Sequence, residues 1–105
     1  MNWMRKLFIT PQARLDLLET WNYIANDSID AANRVGEKLD VAICDLLTFP
    51  AKGHRRADVK ESRYLFWNVY SYIIAYRYDN EMLTIVRVLH GNRDFRKIFR
   101  KGRTS

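Results

Sequence analysis

The sequence predicts an α+β fold, a helical hairpin packed on one face of a mainly antiparallel sheet, in the order β-α-α-β-β-β. Three observations predict it. Apolar residues recur at spacings of three and four between residues 10 and 50, the helical period. The period falls to about two between residues 62 and 89, where β-branched and aromatic residues dominate. Pro, Gly and Asn/Asp punctuate the boundaries, as turn chemistry requires. Helices first and a run of strands afterwards is the layered arrangement in which helices cover one sheet face.

"WMRKLFIT" (3–10) is expected to open the chain as a short strand. Thr10 then supplies an N-cap oxygen and Pro11 sits at the first helical position, where a missing N–H costs nothing. Ala13, Leu17, Leu18, Trp21, Ile24 and Ala25 form the expected buried stripe of this first helix. "NDS" interrupts it. Ser28 caps a second helix, Asp30 lies near its positive end, and Ala32, Val35, Leu39, Ala42 or Ile43, and Leu46 mark the buried face. Gly36 is expected to allow close helix–helix approach, and Pro50 ends the helix. "AKGHRRADVKE" (51–61) reads as a polar loop. "SRYLFWNV", "YSYIIAYRY" and "MLTIVRVL" read as strands, the last two joined by a "DNE" turn in which Asp79 and Asn80 can take positive φ. From Asn92 the chain is a short helix or a mobile arm. The domain is expected over 1–94, with 95–105 a basic C-terminal tail.

A chain of 105 residues allows one domain, and 48% hydrophobic with 29% charged residues is the composition of a chain with a core. No apolar run approaches the roughly 18 residues of a membrane span, and the N-terminus lacks the pattern of a secretory signal, so no membrane role is expected. Cys44 alone excludes an intrachain disulfide and fits a reducing cytoplasm. It is expected to be partly or fully buried. The net charge of +6 is unevenly placed: residues 1–49 carry five Lys/Arg against seven Asp/Glu, residues 50–105 thirteen against five. The second half is therefore a candidate footprint for an anionic partner, nucleic acid or acidic protein.

His54 lies in a basic loop and His90 at the end of the last strand, so His90 is the candidate general acid or base. No metal-ligand spacing and no Gly-rich phosphate loop occur, so neither metal nor cofactor is expected. Arg77 and Arg87 stand inside apolar strands and must face solvent, an acid or a ligand, because an unpaired buried arginine is costly. Tyr64, Phe66, Trp67, Tyr70, Tyr72, Tyr76 and Tyr78 lie among the arginines. Such rings can build a base-stacking platform; we read most of them as core. Beyond the last strand, Arg93 and Asp94 are expected to order a turn as a local ion pair. Phe95, Ile98 and Phe99 are expected to give one or two amphipathic turns that dock weakly.

Three stretches, "ITPQARLDLLETWNYIANDSIDAANRV", "TFPAKGHRRADV" and "YIIAYRYDNEMLTIVRVLHGNRD", carry a resemblance to the ParE toxins of bacterial toxin–antitoxin operons, within the ParE/RelE superfamily. It runs from about Leu7 to Asp94. It implies the same β-α-α-β-β-β fold, a ParD-like antitoxin whose extended and helical segment wraps the toxin, and contact with operator DNA only through that antitoxin. Within the superfamily, RelE-like members cut mRNA on the ribosome and ParE-like members poison DNA gyrase. Where the nucleases place lysines and arginine on the central strands, this chain has Tyr64, Phe66 and Ile73, and where some place a tail tyrosine it has Phe99; Arg93 is kept. The expectation is therefore a gyrase inhibitor that acts by binding. The alternatives are a ribosome-dependent endonuclease using His90, with Arg87 and Arg93 on the phosphate, or a non-toxic member that only binds antitoxin. The residues expected to contact target or antitoxin are Arg55, Arg56, Arg63, Arg77, Arg96, Lys97, Arg100 and Lys101.

Overall fold

The computed structural model describes residues 5–61 and 63–99. The element order is β1 (Lys6–Ile9), α1 (Pro11–Ala25), α2 (Ile29–Thr48), a 3₁₀ turn at Pro50–Lys52, β2 (Leu65–Val69), β3 (Tyr72–Asp79), β4 (Met82–His90) and α3 (Phe95–Ile98). The expected order holds, with one helical turn added at the end. Both caps act as expected: Thr10 Oγ1 accepts from the Ala13 N–H at 3.0 Å and Ser28 Oγ from the Ala31 N–H at 3.1 Å. Arg5 closes the other end of α2, donating to the Leu47 and Thr48 carbonyls at 2.8 and 2.7 Å, where the helix dipole is negative.

The sheet order is β1-β4-β3-β2. β4 pairs antiparallel with β3 and β3 with β2, while β1 runs parallel to β4. The β3–β4 turn takes its positive φ at Asn80 and Glu81, one position later than expected. Opposite Ala75 and Tyr76 the register jumps from Arg87 to Ile85, leaving Val86 as the extra residue of a bulge. The bulge switches the side-chain alternation of β4. Leu83 and Ile85 point into the helix-face core before it, and Val88 does so after it, while Leu89 points to the other face.

Two cores result. Under the helices, Ala13, Leu39, Ala42, Ile43 and Leu46 pack on Ile74, Tyr76, Leu83, Ile85 and Val88. On the far face Phe66, Ile73, Ala75 and Leu89 are covered by Val59 from the 51–61 loop and by Phe95 and Phe99. The tail therefore does not dock weakly over its first turn: Phe95 is 1% and Phe99 9% exposed. The rings are core rather than platform on this face as well, with Phe66 meeting Phe95 and Phe99 edge-on.

The α1 stripe differs from expectation. Leu18 and Trp21 are exposed, and the buried positions are Ala13 and Asp16. Cys44 is exposed, not buried, because the buried face of α2 runs through Leu39, Ala42, Ile43 and Leu46. A Cβ on Gly36 would meet Trp21 at an ordinary 4.0 Å, so the helix approach does not require glycine there. Gly53 is the position that does: a Cβ would fall on the Tyr76 hydroxyl, which accepts from the Gly53 N–H at 2.9 Å and donates to the Pro50 carbonyl at 2.5 Å.

Candidate functional site

Arg87 is paired with an acid. Its guanidinium grips Asp16 with two hydrogen bonds, Nε to Oδ2 at 2.8 Å and Nη2 to Oδ1 at 3.0 Å. The Val88 N–H donates to the same Oδ2 at 2.9 Å. The reason lies in the sheet. β1 pairs with β4 only as far as Ile85, after which that edge of β4 has no strand beside it. Thr10 Oγ1 donates to the Val86 carbonyl and Asp16 takes the Val88 N–H, so side chains of the α1 start replace the missing strand. Asp16 is buried, and the arginine that neutralises it follows from that burial. Of the three surroundings expected for a strand arginine, solvent, an acid or a ligand, Arg87 takes the acid.

His90 stands exposed at the end of β4. Its ring meets Tyr72 edge-on at 5.4 Å, and its Nδ1 accepts from the Asn92 N–H at 3.3 Å. Around it lies a shallow groove of about 380 Å³ between α1 and the strand ends, lined by Glu19, Tyr23, Tyr72, His90, Asn92 and Arg93 among others. Burial and the neighbouring Tyr23 hold the Tyr72 hydroxyl above its ordinary pKa. Arg93 thus shares the groove with His90. It does not pair with Asp94, whose carboxylate caps α3 by accepting from the Lys97 N–H at 3.4 Å.

The expected contact residues that the structure describes differ in their surroundings. Arg56 is clamped, bidentate to Asp58 at 2.9 Å on both bonds, with its guanidinium 4.1 Å above the Phe95 ring. Hydrogen bonding from Arg56 holds the Asp58 carboxyl below its usual range, against a smaller opposing effect of burial, and the charges of Arg56 and Arg96 add to the lowering. Arg56 therefore serves the far-face core. Arg63 is exposed and pairs with Glu61 at 3.3 Å. Arg77 is half-buried in register with Thr84, without an ion pair among the described residues. Arg55, Arg93, Arg96 and Lys97 are exposed. Arg100 and Lys101 lie outside the described residues. His54 contributes backbone: its N–H and C=O bridge to Phe66 along the outer side of β2. No cluster of three or more His, Cys, Asp or Glu side chains able to hold a metal forms among the described residues, and no helix among them is long and apolar enough to cross a membrane.

A family model described as "ParE toxin of type II toxin-antitoxin system, parDE" matches residues 7–95, most of the chain. The chain belongs to the ParE toxin family. Among solved structures, a chain of the chromosomal ParDE TA system from P. aeruginosa superposes with a TM-score of 0.69 at 16% identity, covering 83% of this chain and 96% of that one. At that identity the likeness is one of fold. No curated protein matches the sequence significantly.

For a ParE-family chain, the residues that sequence reasoning missed are informative. Nothing local in the sequence signals that Asp16 meets a strand 71 positions away. Glu19 and Tyr23 reach the His90 groove because they follow Asp16 by about one and two helical turns. Asp58 sits two residues from Arg56 in a loop, and only the burial of Phe95 beneath that arginine gives the pair a purpose.

Proposed function

We propose that this ParE-family toxin acts by binding DNA gyrase rather than by cleaving RNA, and that a ParD-like antitoxin neutralises it. The carrying observation is the Arg87–Asp16 clamp. The strand arginine nearest His90 in sequence is committed to a buried carboxylate and to an edge N–H, which leaves no arginine on β4 to hold a phosphate in a transition state. Arg93, Arg96 and Lys97 are exposed, and suited to contact with an acidic protein surface. Antitoxin docking is supported by the apolar side chains that the helical hairpin leaves outside, Leu15, Leu18, Trp21, Tyr23 and Ile29. The antitoxin is expected to bind with nanomolar or tighter affinity at low salt, weakening as salt rises; affinity independent of salt would remove the basic surface from the interface.

A second reading has one observation in its favour: the groove that gathers Glu19, Tyr72, His90 and Arg93. As an endonuclease site it would offer a carboxylate, an imidazole and one guanidinium. Induced expression of the wild type and His90→Gln, with supercoiling and translation assayed in parallel, separates the two. The expected result is relaxed DNA and growth inhibition in both. Loss of toxicity in His90→Gln together with loss of mRNA cleavage products would establish the nuclease instead.

A further inference from the structure

The outer edge of β2 is only partly occupied. His54 bridges to Phe66, whose N–H and C=O both point away from β3. In an antiparallel ladder these directions alternate, so the N–H and C=O of Asn68 point the same way. No hydrogen bond outside the ladder reaches Asn68 among the described residues. Beside that open stretch lies a groove of about 260 Å³ whose upper wall is α2, through Lys38, Val41 and Asp45, and whose floor is Trp67, Val69 and Tyr70.

Two further features mark the place. Val41 and Tyr70 are 58% and 67% exposed, although each faces the groove. Tyr70 also has φ 55, a left-handed backbone that glycine or asparagine takes without strain and a bulky aromatic does not. Tyr70 opens the two-residue turn between β2 and β3, which accounts for that backbone and leaves its ring exposed beside the open edge. The charges fit a particular occupant. Lys52 sits at the rim with its ammonium 4.3 Å above the Trp67 ring. Lys38 also lines the groove, and Asp45 is the one acid among its lining residues.

We propose that β2 accepts, beyond His54, a short extended segment of a partner protein as a fifth strand, apolar at alternate positions and acidic between them. Its backbone pairs with Asn68, its apolar side chains enter the groove between Val41 and Trp67, and its carboxylates meet Lys38 and Lys52. That the natural donor is the antitoxin rests on the toxin–antitoxin reading; the edge site itself does not.

The experiment has two arms. In the first, a fluorescein-labelled ten-residue peptide of alternating Glu and Val, with a Lys–Val peptide as control, is titrated onto the full chain by anisotropy, and amide exchange is followed at Asn68. The Glu–Val peptide should bind at least tenfold more tightly than the control and slow exchange at Asn68. Asn68→Pro, which removes the edge donor, and Val41→Arg, which fills the groove from an exposed helix position, should each weaken binding tenfold or more. Gln12→Ala, at an exposed position of α1, should not. Equal binding of both peptides, no slowing at Asn68, or binding unchanged in Val41→Arg overturns the proposal. In the second arm the product of the neighbouring gene replaces the peptide. If it fails to bind the wild type while the Glu–Val peptide still protects Asn68, the antitoxin reading fails and the edge site stands. If it binds wild type and both edge variants equally, the antitoxin reading stands and its use of this edge is refuted.

Discussion

The two faces of the sheet are covered in different ways. Under the helices, two long elements of 15 and 20 residues, of which α2 carries a regular apolar stripe, cover Ile74, Tyr76, Leu83, Ile85 and Val88. On the far face a four-residue helix and an irregular loop do the same task for Phe66, Ile73, Ala75 and Leu89. A single helical turn has no stability of its own. It is held by two rings sunk in the sheet and by Arg56, which Asp58 fixes above Phe95. The helix face is thus built from elements that could be recognised in isolation, whereas the far face is built from pieces that have structure only in each other's presence.

This contrast can be broken at its strongest point first. Asp16→Ala leaves Arg87 without its acid and the Val88 N–H without an acceptor; the expected loss is about 3–5 kcal/mol in urea unfolding, shared by the whole chain. Phe95→Ala should remove about 3 kcal/mol, but locally: hydrogen exchange should accelerate in residues 54–60 and 93–99 before it does in α2. If amides of α2 lose protection equally, the two faces form one cooperative unit and the contrast drawn above is wrong. Gly53→Ala should cost about 1–3 kcal/mol by overpacking, since the added methyl displaces the Tyr76 hydroxyl from Pro50 and Gly53.

The smallest effects come from pH, and they act at opposite ends of the scale. Asp58 titrates below its ordinary value in the folded chain, so its contribution is present above about pH 4 and lost as pH falls further. Burial holds the Tyr76 hydroxyl above its ordinary value, so its contribution is complete below about pH 10 and lost as pH rises beyond that. Exchange measured across pH should therefore loosen the far face first in acid and the helix face first in alkali. Arg56→Leu should abolish the acid effect and leave the alkaline one.

Much of the fold was legible because it is local. Thr10, Pro11 and Ser28 announce helices by chemistry confined to one turn, and Val88 and Leu89 announce a strand by composition. Val86 could not announce its bulge, because a bulge is a fact about the partner strand. The α1 stripe was misread for a related reason: a periodicity argument assigns Asp16 to water, and only its three hydrogen bonds make burial tolerable. Phe95 and Phe99 were seen as amphipathic, but whether a short apolar pair docks firmly depends on the hole it fills. Of the candidate site, His90 and Arg93 were visible at a strand end, whereas Glu19 and Tyr72 join them only through tertiary packing.

The parallel pairing of β1 with β4 bears on when this fold can be completed. The first strand lies beside the last one made, with Thr10 bonded to Val86 across 76 positions. β4 sits inside the sheet rather than at its rim, so the strands made before it have no finished sheet to join. Closing so long a loop is slow, and it cannot begin until β4 has left the ribosome. A nascent or truncated copy ending before Met82 is therefore an open structure without its central strand. The interval between synthesis and a finished fold is thus written into the strand order.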